Sequence, residues 1–297
     1  MKPRTLEDFA VFAAPGVFVV LWSSGFIGAK FGLPYAEPFT FLAARMIAVV
    51  LLLAILIGLT RPHWPSGAGI LHSALTGVLM HGLYLSGVFV AIREGMPTGI
   101  IALIVGLQPV LSSTIANRWL GERVAPRQWL GLALGLVGVG LIVQGKTVGG
   151  ETSLLGWAAS IWGLIGITLG TIYQRRFGAG IDWRPGFLVQ YFAAGVFCLA
   201  GAFLFETRII QWSVEFLFAL GWLVFVLSFS AVWLLYFLIR RAAAARVASL
   251  FYLTPPLTAL MGWALFNERL DALAMLGMVI CVAGVFLVNW RAGELRT

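Results

Sequence analysis

Charge is scarce in this 297-residue sequence: Asp, Glu, Lys and Arg make up 11% of it, against about a quarter of a soluble domain. With 60% of the residues hydrophobic, so few charges could not cover the surface of a soluble globule. Cysteine is nearly absent. Cys198 and Cys281 each lie inside an apolar run, where a thiol behaves as a small hydrophobe. Neither a disulfide framework nor a thiolate metal site is supported, and no cofactor is expected. No P-loop occurs and no loop is long enough to be an extramembrane domain, so nucleotide hydrolysis would need another chain. His-x-x-x-His pairs, paired carboxylates inside apolar runs and a nucleophile elbow are also missing, which argues against a membrane-embedded enzyme. The lack of a carboxylate ring or a filter-like Gly-rich loop argues against an ion channel.

What the sequence has is apolar runs of membrane-spanning length. A helix needs about 20 mostly apolar residues to cross the hydrocarbon core. Ten such runs are read at 10–29, 38–59, 69–92, 96–117, 126–145, 154–175, 184–204, 213–239, 244–266 and 271–290. This predicts an all-α integral membrane fold of ten transmembrane helices. The first run is retained as a helix rather than a cleaved signal peptide, because its loss would leave an odd number of spans.

The formal charge of +8 reflects topology rather than nucleic-acid binding, since the basic residues fall in short loops. Alternate loops hold fourteen Lys and Arg on one side and five on the other, with Arg45 left inside the second span. The positive-inside rule then puts both termini in the cytoplasm.

A self-comparison at an offset of 146 residues aligns Leu107-Gln108-Pro109-Val110-Leu111 with Leu253-Thr254-Pro255-Pro256-Leu257. The same offset sets Leu130-Gly131 on Leu276-Gly277 and Gly138-Val139-Gly140-Leu141 on Gly284-Val285-Phe286-Leu287. Two five-helix repeats follow, 1–148 and 149–297. Five is odd, so the second enters the bilayer from the opposite side, a symmetry typical of secondary transporters.

Local patterns in order along the chain are Trp22-Ser23-Ser24-Gly25-Phe26 ending at Lys30, Pro38 leading to Arg45, Gln108-Pro109 followed by Gly121-Glu122-Arg123, and Pro255 followed by Asn267-Glu268-Arg269. In these the chain resembles the drug/metabolite transporter (DMT) superfamily with paired EamA-type repeats, nearest to its YddG-type exporters of aromatic and other amino acids. The resemblance implies export of amino acids and related metabolites across the bacterial inner membrane.

Candidate substrate-binding residues come from depth and polarity. His81 and Tyr84 share a face of the third span near the bilayer midplane, where an ionisable side chain is costly and functional by default; a neutral imidazole bonded to a neighbouring helix is the other reading. Their counterparts at the repeat offset are Leu227 and Ser230, with Trp233 on the Ser230 face. Pro109 and Pro255-Pro256 interrupt the fourth and ninth spans near their middles, freeing the carbonyls of Val105, Phe251 and Tyr252. Paired interruptions point either to a transport cavity, with Gln108 beside it, or to kinks that shape the bundle. Trp162, Tyr191 and Tyr252 complete a set of aromatic faces and hydroxyls suited to apolar or aromatic side chains with an ammonium group. Arg45 either receives a substrate carboxylate or packs against carbonyls near the external surface, the second being the reading adopted. Trp64, Trp157, Trp183, Trp212 and Trp290 read as interfacial anchors.

All twelve acids fall in termini, loops or the first residues of a span. With no intramembrane carboxylate to exchange a proton, the sequence predicts uncoupled, facilitated transport by alternating access; proton coupling through His81 is the alternative. The expected partners are a small-molecule substrate and the lipid bilayer, with no nucleic acid, and the chain is expected to be a monomer.

Overall fold

The computed structural model describes residues 6–96, 101, 104–119, 125–144, 153–241, 247, 249–266 and 272–289. Among them all regular structure is helical, apart from one isolated antiparallel bridge between Ala36 and Ile210. Six helices among the described residues are long and apolar enough to cross a bilayer, so the chain is a multi-pass membrane protein. They are α1 (Leu6–Gly32), α2 (Pro38–Thr60), α3 (Gly67–Arg93), α6 (Leu154–Phe177), α7 (Trp183–Phe205) and α8 (Val214–Arg241). Between and after them lie α4 (Gln108–Trp119), α5 (Pro126–Gln144), α9 (Thr254–Phe266) and α10 (Ala272–Asn289). The loops carrying Lys146, Gly121-Glu122-Arg123 and Asn267-Glu268-Arg269, and the anchor Trp290, lie outside the described residues.

Local chemistry explains the helix ends. Ser66, Ser153 and Ser213 sit immediately before α3, α6 and α8, and each hydroxyl accepts the backbone N–H three residues on. Pro38 opens α2, where its missing N–H is an orphan in any case. The start of α2 is also held by Glu206, whose carboxylate accepts the N–H groups of Phe39 and Thr40 and the Thr40 hydroxyl, each at 2.7 Å. Reciprocally, the Glu37 carboxylate accepts the Thr207 N–H at 2.7 Å and its hydroxyl at 2.6 Å. Two carboxylates thus fasten the 33–37 and 206–213 loops to each other.

The prolines act differently from interior kinks. Backbone turns occupy Gly106 and Leu107, and α4 restarts at Gln108, so Pro109 is in a first turn. A short 3-10 segment, Leu250–Leu253, likewise precedes α9, leaving Pro255 and Pro256 in its first turn. Both are breaks in which proline starts a helix, where its fixed φ is favourable.

Two long helices widen midway. In α3, residues Val78–Leu83 form a π-turn, with the Tyr84 N–H donating to the Leu79 carbonyl. In α8 the π-turn is Leu223–Ala231, with the Val232 N–H donating to Leu227. Here two serine hydroxyls satisfy carbonyls of the widened turn: Ser228 donates to Leu223 at 3.1 Å and Ser230 to Phe225 at 3.3 Å. The α3 segment falls within the α8 segment when the 146-residue offset is applied.

Packing follows the same offset. α2 packs on α7 and α5 on α10, α1 lies against α8 and α9, and α6 lies against α3 and α4. α3 comes so close to α7 that a Cβ on Gly77 would collide with the backbone of Gln190.

Candidate functional site

Four of the long helices, α1, α2, α3 and α8, wall a small cavity of about 40 Å3. From α1 come Trp22, Gly25, Phe26 and Ala29, and from α8 Leu223, Leu227 and Val232. The α3 wall runs from Met80 and His81 in the π-turn through Tyr84 and Leu85 to Val88 and Phe89. α2 contributes Arg45. The lining thus extends from mid-depth toward the end where α1 and α3 finish and α8 begins.

Aromatic side chains set its shape. Trp22 and Tyr84 stack nearly parallel, 8° apart with centroids separated by 6.2 Å, and Phe251 meets Trp22 edge-on at 5.3 Å. Beyond this wall lies a second, smaller cavity of about 20 Å3, which shares Trp22, Phe26 and Tyr84 and is bounded by Val105, Gly106, Phe251, Thr254 and Pro255. The helix breaks therefore border the site without lining its main cavity.

The polar groups converge on one side. His81 is buried, its Nε2 has no hydrogen-bond partner, and its ring stacks on Tyr191 at 4.4 Å and 13°. The Tyr191 hydroxyl donates to the Ser228 carbonyl at 3.1 Å. Arg45, only 3% exposed, donates from Nε to the Ser228 hydroxyl at 3.0 Å. Carbonyl contacts near the external surface, the reading adopted from sequence, are not what holds it: its partner is a serine in the α8 π-turn.

The other residues expected at the site are spread more widely. His81 and Tyr84 line the cavity, and Tyr191 lies directly behind His81. Gln108 is buried in α4, where its Nε2 donates to Ser112 at 2.9 Å. Trp162 wedges between α6 and α3, beside Gly87 and with its buried Nε1 unpartnered. Tyr252 is fully buried against Gly135 of α5. Ser230 is exposed on the outer face of the π-turn, and Trp233, 39% exposed, stacks on Phe237 there. The repeat offset sets Ser230 on Tyr84, with Trp233 one turn along the same face; the π-turn of α8 runs nine residues against six in α3, so the offset does not carry the inward facing of Tyr84 to Ser230, and Trp233 shares its outer face. Sequence reasoning passed over Trp22, Phe26, Phe89 and Ser228. The Trp22-Ser23-Ser24-Gly25-Phe26 pattern was the available signal for the first two; Ser228 had none.

At the opposite end of α3, α6 and α8 the packing is closed by polar contacts. His72 Nδ1 lies 2.7 Å from the Tyr173 hydroxyl, and the His72 ring stacks on Phe177 at 4.4 Å. Tyr236 donates to the carbonyls of Gly178 and Ile181 at 3.1 and 2.8 Å, Arg175 to that of Ile239 at 2.8 Å, and Arg240 to that of Ala179. Among the described residues no group of three or more His, Cys, Asp or Glu is placed to hold a metal.

The chain is similar to known proteins along nearly its full length. It is 30% identical over 285 residues to the uncharacterized transporter YvbV of Bacillus subtilis (strain 168), covering 92% of this chain and 90% of that protein. It is 25% identical to the uncharacterized inner membrane transporter YedA of Escherichia coli (strain K12), over 96% of this chain and 92% of YedA. Another relative from that strain, named "Probable amino-acid metabolite efflux pump", is 24% identical over 92% of this chain and 94% of its own. One crystal structure, at 19% identity, superposes with a TM-score of 0.76 over 96% of this chain and 98% of its own, so the fold is shared. The model of the EamA-like transporter family matches twice, over residues 11–144 and 154–290, and with these matches spanning most of its length the chain belongs to that family.

Proposed function

We propose that this protein is a secondary transporter that exports amino acids and related small metabolites, chiefly those with apolar or aromatic side chains, across the bacterial inner membrane by alternating access. The observation that carries this reading is the cavity at mid-depth in a membrane-spanning bundle, walled by Trp22, Phe26, Tyr84 and Phe89 and holding two buried nitrogenous side chains, Arg45 and His81. Ring faces accept both apolar side chains and an ammonium group. The name of the Escherichia coli efflux pump is consistent with the substrate class.

Ten transmembrane helices in two inverted repeats, 1–148 and 149–297, belong to the same proposal. Support comes from the 146-residue offset, the matching π-turns and the pairing of α2 with α7 and α5 with α10. An axis in the membrane plane would let one midplane site face either side in turn. The Lys and Arg distribution supports cytoplasmic termini.

The residues proposed to meet substrate are Trp22, Arg45, His81 and Tyr84 in the main cavity, with Tyr191 supporting His81. Gln108, Trp162 and Tyr252 support the surrounding helices, and Ser230 and Trp233 face outward. Transport is uncoupled, because no Asp or Glu lines the cavity among the described residues. Proton coupling stands as a second reading on one observation, the unpartnered Nε2 of His81 in the cavity.

The test is counterflow of labelled amino acids in liposomes containing only the purified protein. Exchange that depends on protein and saturates with substrate is expected. Liposomes that exchange none of the twenty amino acids while the protein remains folded would overturn the reading.

A further inference from the structure

We infer that Arg45 and His81 form a carboxylate-binding site, oriented by Ser228, which selects solutes by their carboxylate and not by their ammonium group. The inference rests on the transport reading and names the chemical feature by which that site chooses substrate.

Arg45 is a cation buried within the bundle, and among the described residues it forms no ion pair. A buried charge in a membrane protein is costly unless an opposite charge answers it. No Asp or Glu lines the cavity among the described residues, so the chain supplies no such anion there. A bound solute can.

The geometry prepares the guanidinium for one. The Ser228 hydroxyl spends its proton on the Leu223 carbonyl, 3.1 Å away, and therefore turns a lone pair to Arg45 Nε at 3.0 Å. With Nε engaged, the two terminal nitrogens form the free edge of a planar fork, the arrangement that receives a carboxylate through two parallel hydrogen bonds. His81 lines the same cavity, and its unpartnered Nε2, when protonated as that tautomer, can donate to the same anion. Tyr191 fixes both arms, stacking on the His81 ring and donating to the backbone carbonyl of Ser228. Ser228 touches Arg45 rather than the solute, so it is a positioning residue.

The ammonium of an amino acid finds no comparable partner. Among the described lining residues ring faces such as Trp22 and Tyr84 attract it, with no carboxylate among them. A solute lacking the ammonium group keeps every interaction that Arg45 and His81 offer, whereas one lacking the carboxylate loses them.

Four solutes sharing one ring separate these contributions: L-phenylalanine, 3-phenylpropionate, L-phenylalaninamide and phenethylamine. Binding to the purified full-length protein is measured by thermal stabilisation and tryptophan fluorescence, and competition by counterflow. 3-Phenylpropionate is expected to match phenylalanine to within about three-fold, with the amide and the amine weaker by about ten-fold or more. Arg45→Gln should abolish the difference between acid and amide. Ser228→Ala should narrow it and lower the melting temperature modestly, since the Leu223 carbonyl and Arg45 Nε lose their partner, and Ser228→Thr should restore both. If the amide and the amine bind the wild-type protein as well as the acids do, the carboxylate assignment falls while the transport reading stands. If phenylalanine fails to exchange although the acids bind selectively, the transport reading falls and the site assignment stands. Selectivity for the acid that persists in Arg45→Gln would overturn the role given to Arg45, and selectivity unchanged in Ser228→Ala the role given to Ser228.

Discussion

Cys281 places its Sγ 3.5 Å from the carbonyl oxygen of Gly135, a contact between residues 146 positions apart. That separation is the offset at which the sequence aligns with itself, so two equivalent positions touch where α5 crosses α10. Around this point a Cβ on Gly131 would meet the carbonyl of Gly284, and one on Gly138 that of Gly277. The two contacts are the same contact taken twice, since Gly131 and Gly277, like Gly138 and Gly284, are separated by the same interval. Small residues let the backbones approach where lipid offers no hydrophobic drive between helices.

Gly138→Leu is therefore expected to separate α5 from α10 and lower stability by about 1–3 kcal/mol, as overpacking does. Gly140, which has nothing within 4 Å of a built Cβ, is the control, and Gly140→Ala should melt like wild type. Thermal unfolding in detergent checks both, and equal losses would contradict the packing argument.

His81→Ala should reduce transport strongly with little change in melting temperature, because the imidazole faces the cavity and its Nε2 has no partner to lose. Trp162→Ala should behave otherwise. Its ring fills the contact between α6 and Gly87 of α3, so truncation should cost stability by about 3 kcal/mol or more and reduce transport through the folded fraction. Counterflow normalised to folded protein separates the two; a His81→Ala variant with wild-type flux would return that residue to ordinary packing.

The paired carboxylates predict an acid limit. The Thr207 hydroxyl and N–H, with Arg93 nearby, hold the Glu37 carboxyl below its ordinary value. Its stabilising effect is present above the unfolded pKa, about 4.3, and is lost as pH falls through the lower folded value. Melting temperature should accordingly show no contribution from Glu37 in its slope above about pH 5 and fall in more acid solution. The fall should be smaller in Glu37→Gln, and an identical acid profile for the variant would remove Glu37 from the fastening.

Both native cysteines are buried, so the wild-type protein should be silent to an impermeant thiol reagent, and single cysteines can report topology. With cytoplasmic termini, Ile209→Cys in the exposed 206–213 loop should label from outside intact cells and His63→Cys should label only after lysis. The reverse pattern would invert the orientation.

Energy coupling is tested by flux with and without an imposed pH gradient. Net movement is expected to follow the solute gradient alone. Accumulation that requires the proton gradient and vanishes in His81→Gln would establish coupling instead.

The long helices were legible in the sequence because hydropathy and serine caps act locally. The read spans 38–59 and 154–175 differ from α2 and α6 by no more than two residues at either end. His81 and Tyr84 were legible as cavity residues because depth in a span can be counted. Arg45 was not, since its partner Ser228 lies 183 positions away and nothing local marks that pairing. Ser230 and Trp233 were placed inward by the repeat offset to Tyr84, an equivalence that the longer π-turn of α8 does not keep, and no residue type in Leu223–Ala231 announces such a turn. Pro109 and Pro255 were read as interruptions near the middles of continuous spans, marking either a cavity or a kink, because the sequence does not reveal that the helices begin again at Gln108 and Thr254.

The π-turns carry a consequence for insertions and deletions. Each residue of an α-helix advances the next by about 100°, so one residue added within a turn resets the phase of everything after it. In α3 the stretch before Val78 presents Gly77 to α7, while the stretch after Leu83 presents Tyr84 and Val88 to the cavity. The widened turn already takes up one residue more than a regular turn, so removing one from Val78–Leu83 would let it close to α geometry with Tyr84 and Val88 still on the cavity side, whereas adding one would swing them about 100° away. In these two segments a one-residue gap should therefore be more tolerable than a one-residue insertion.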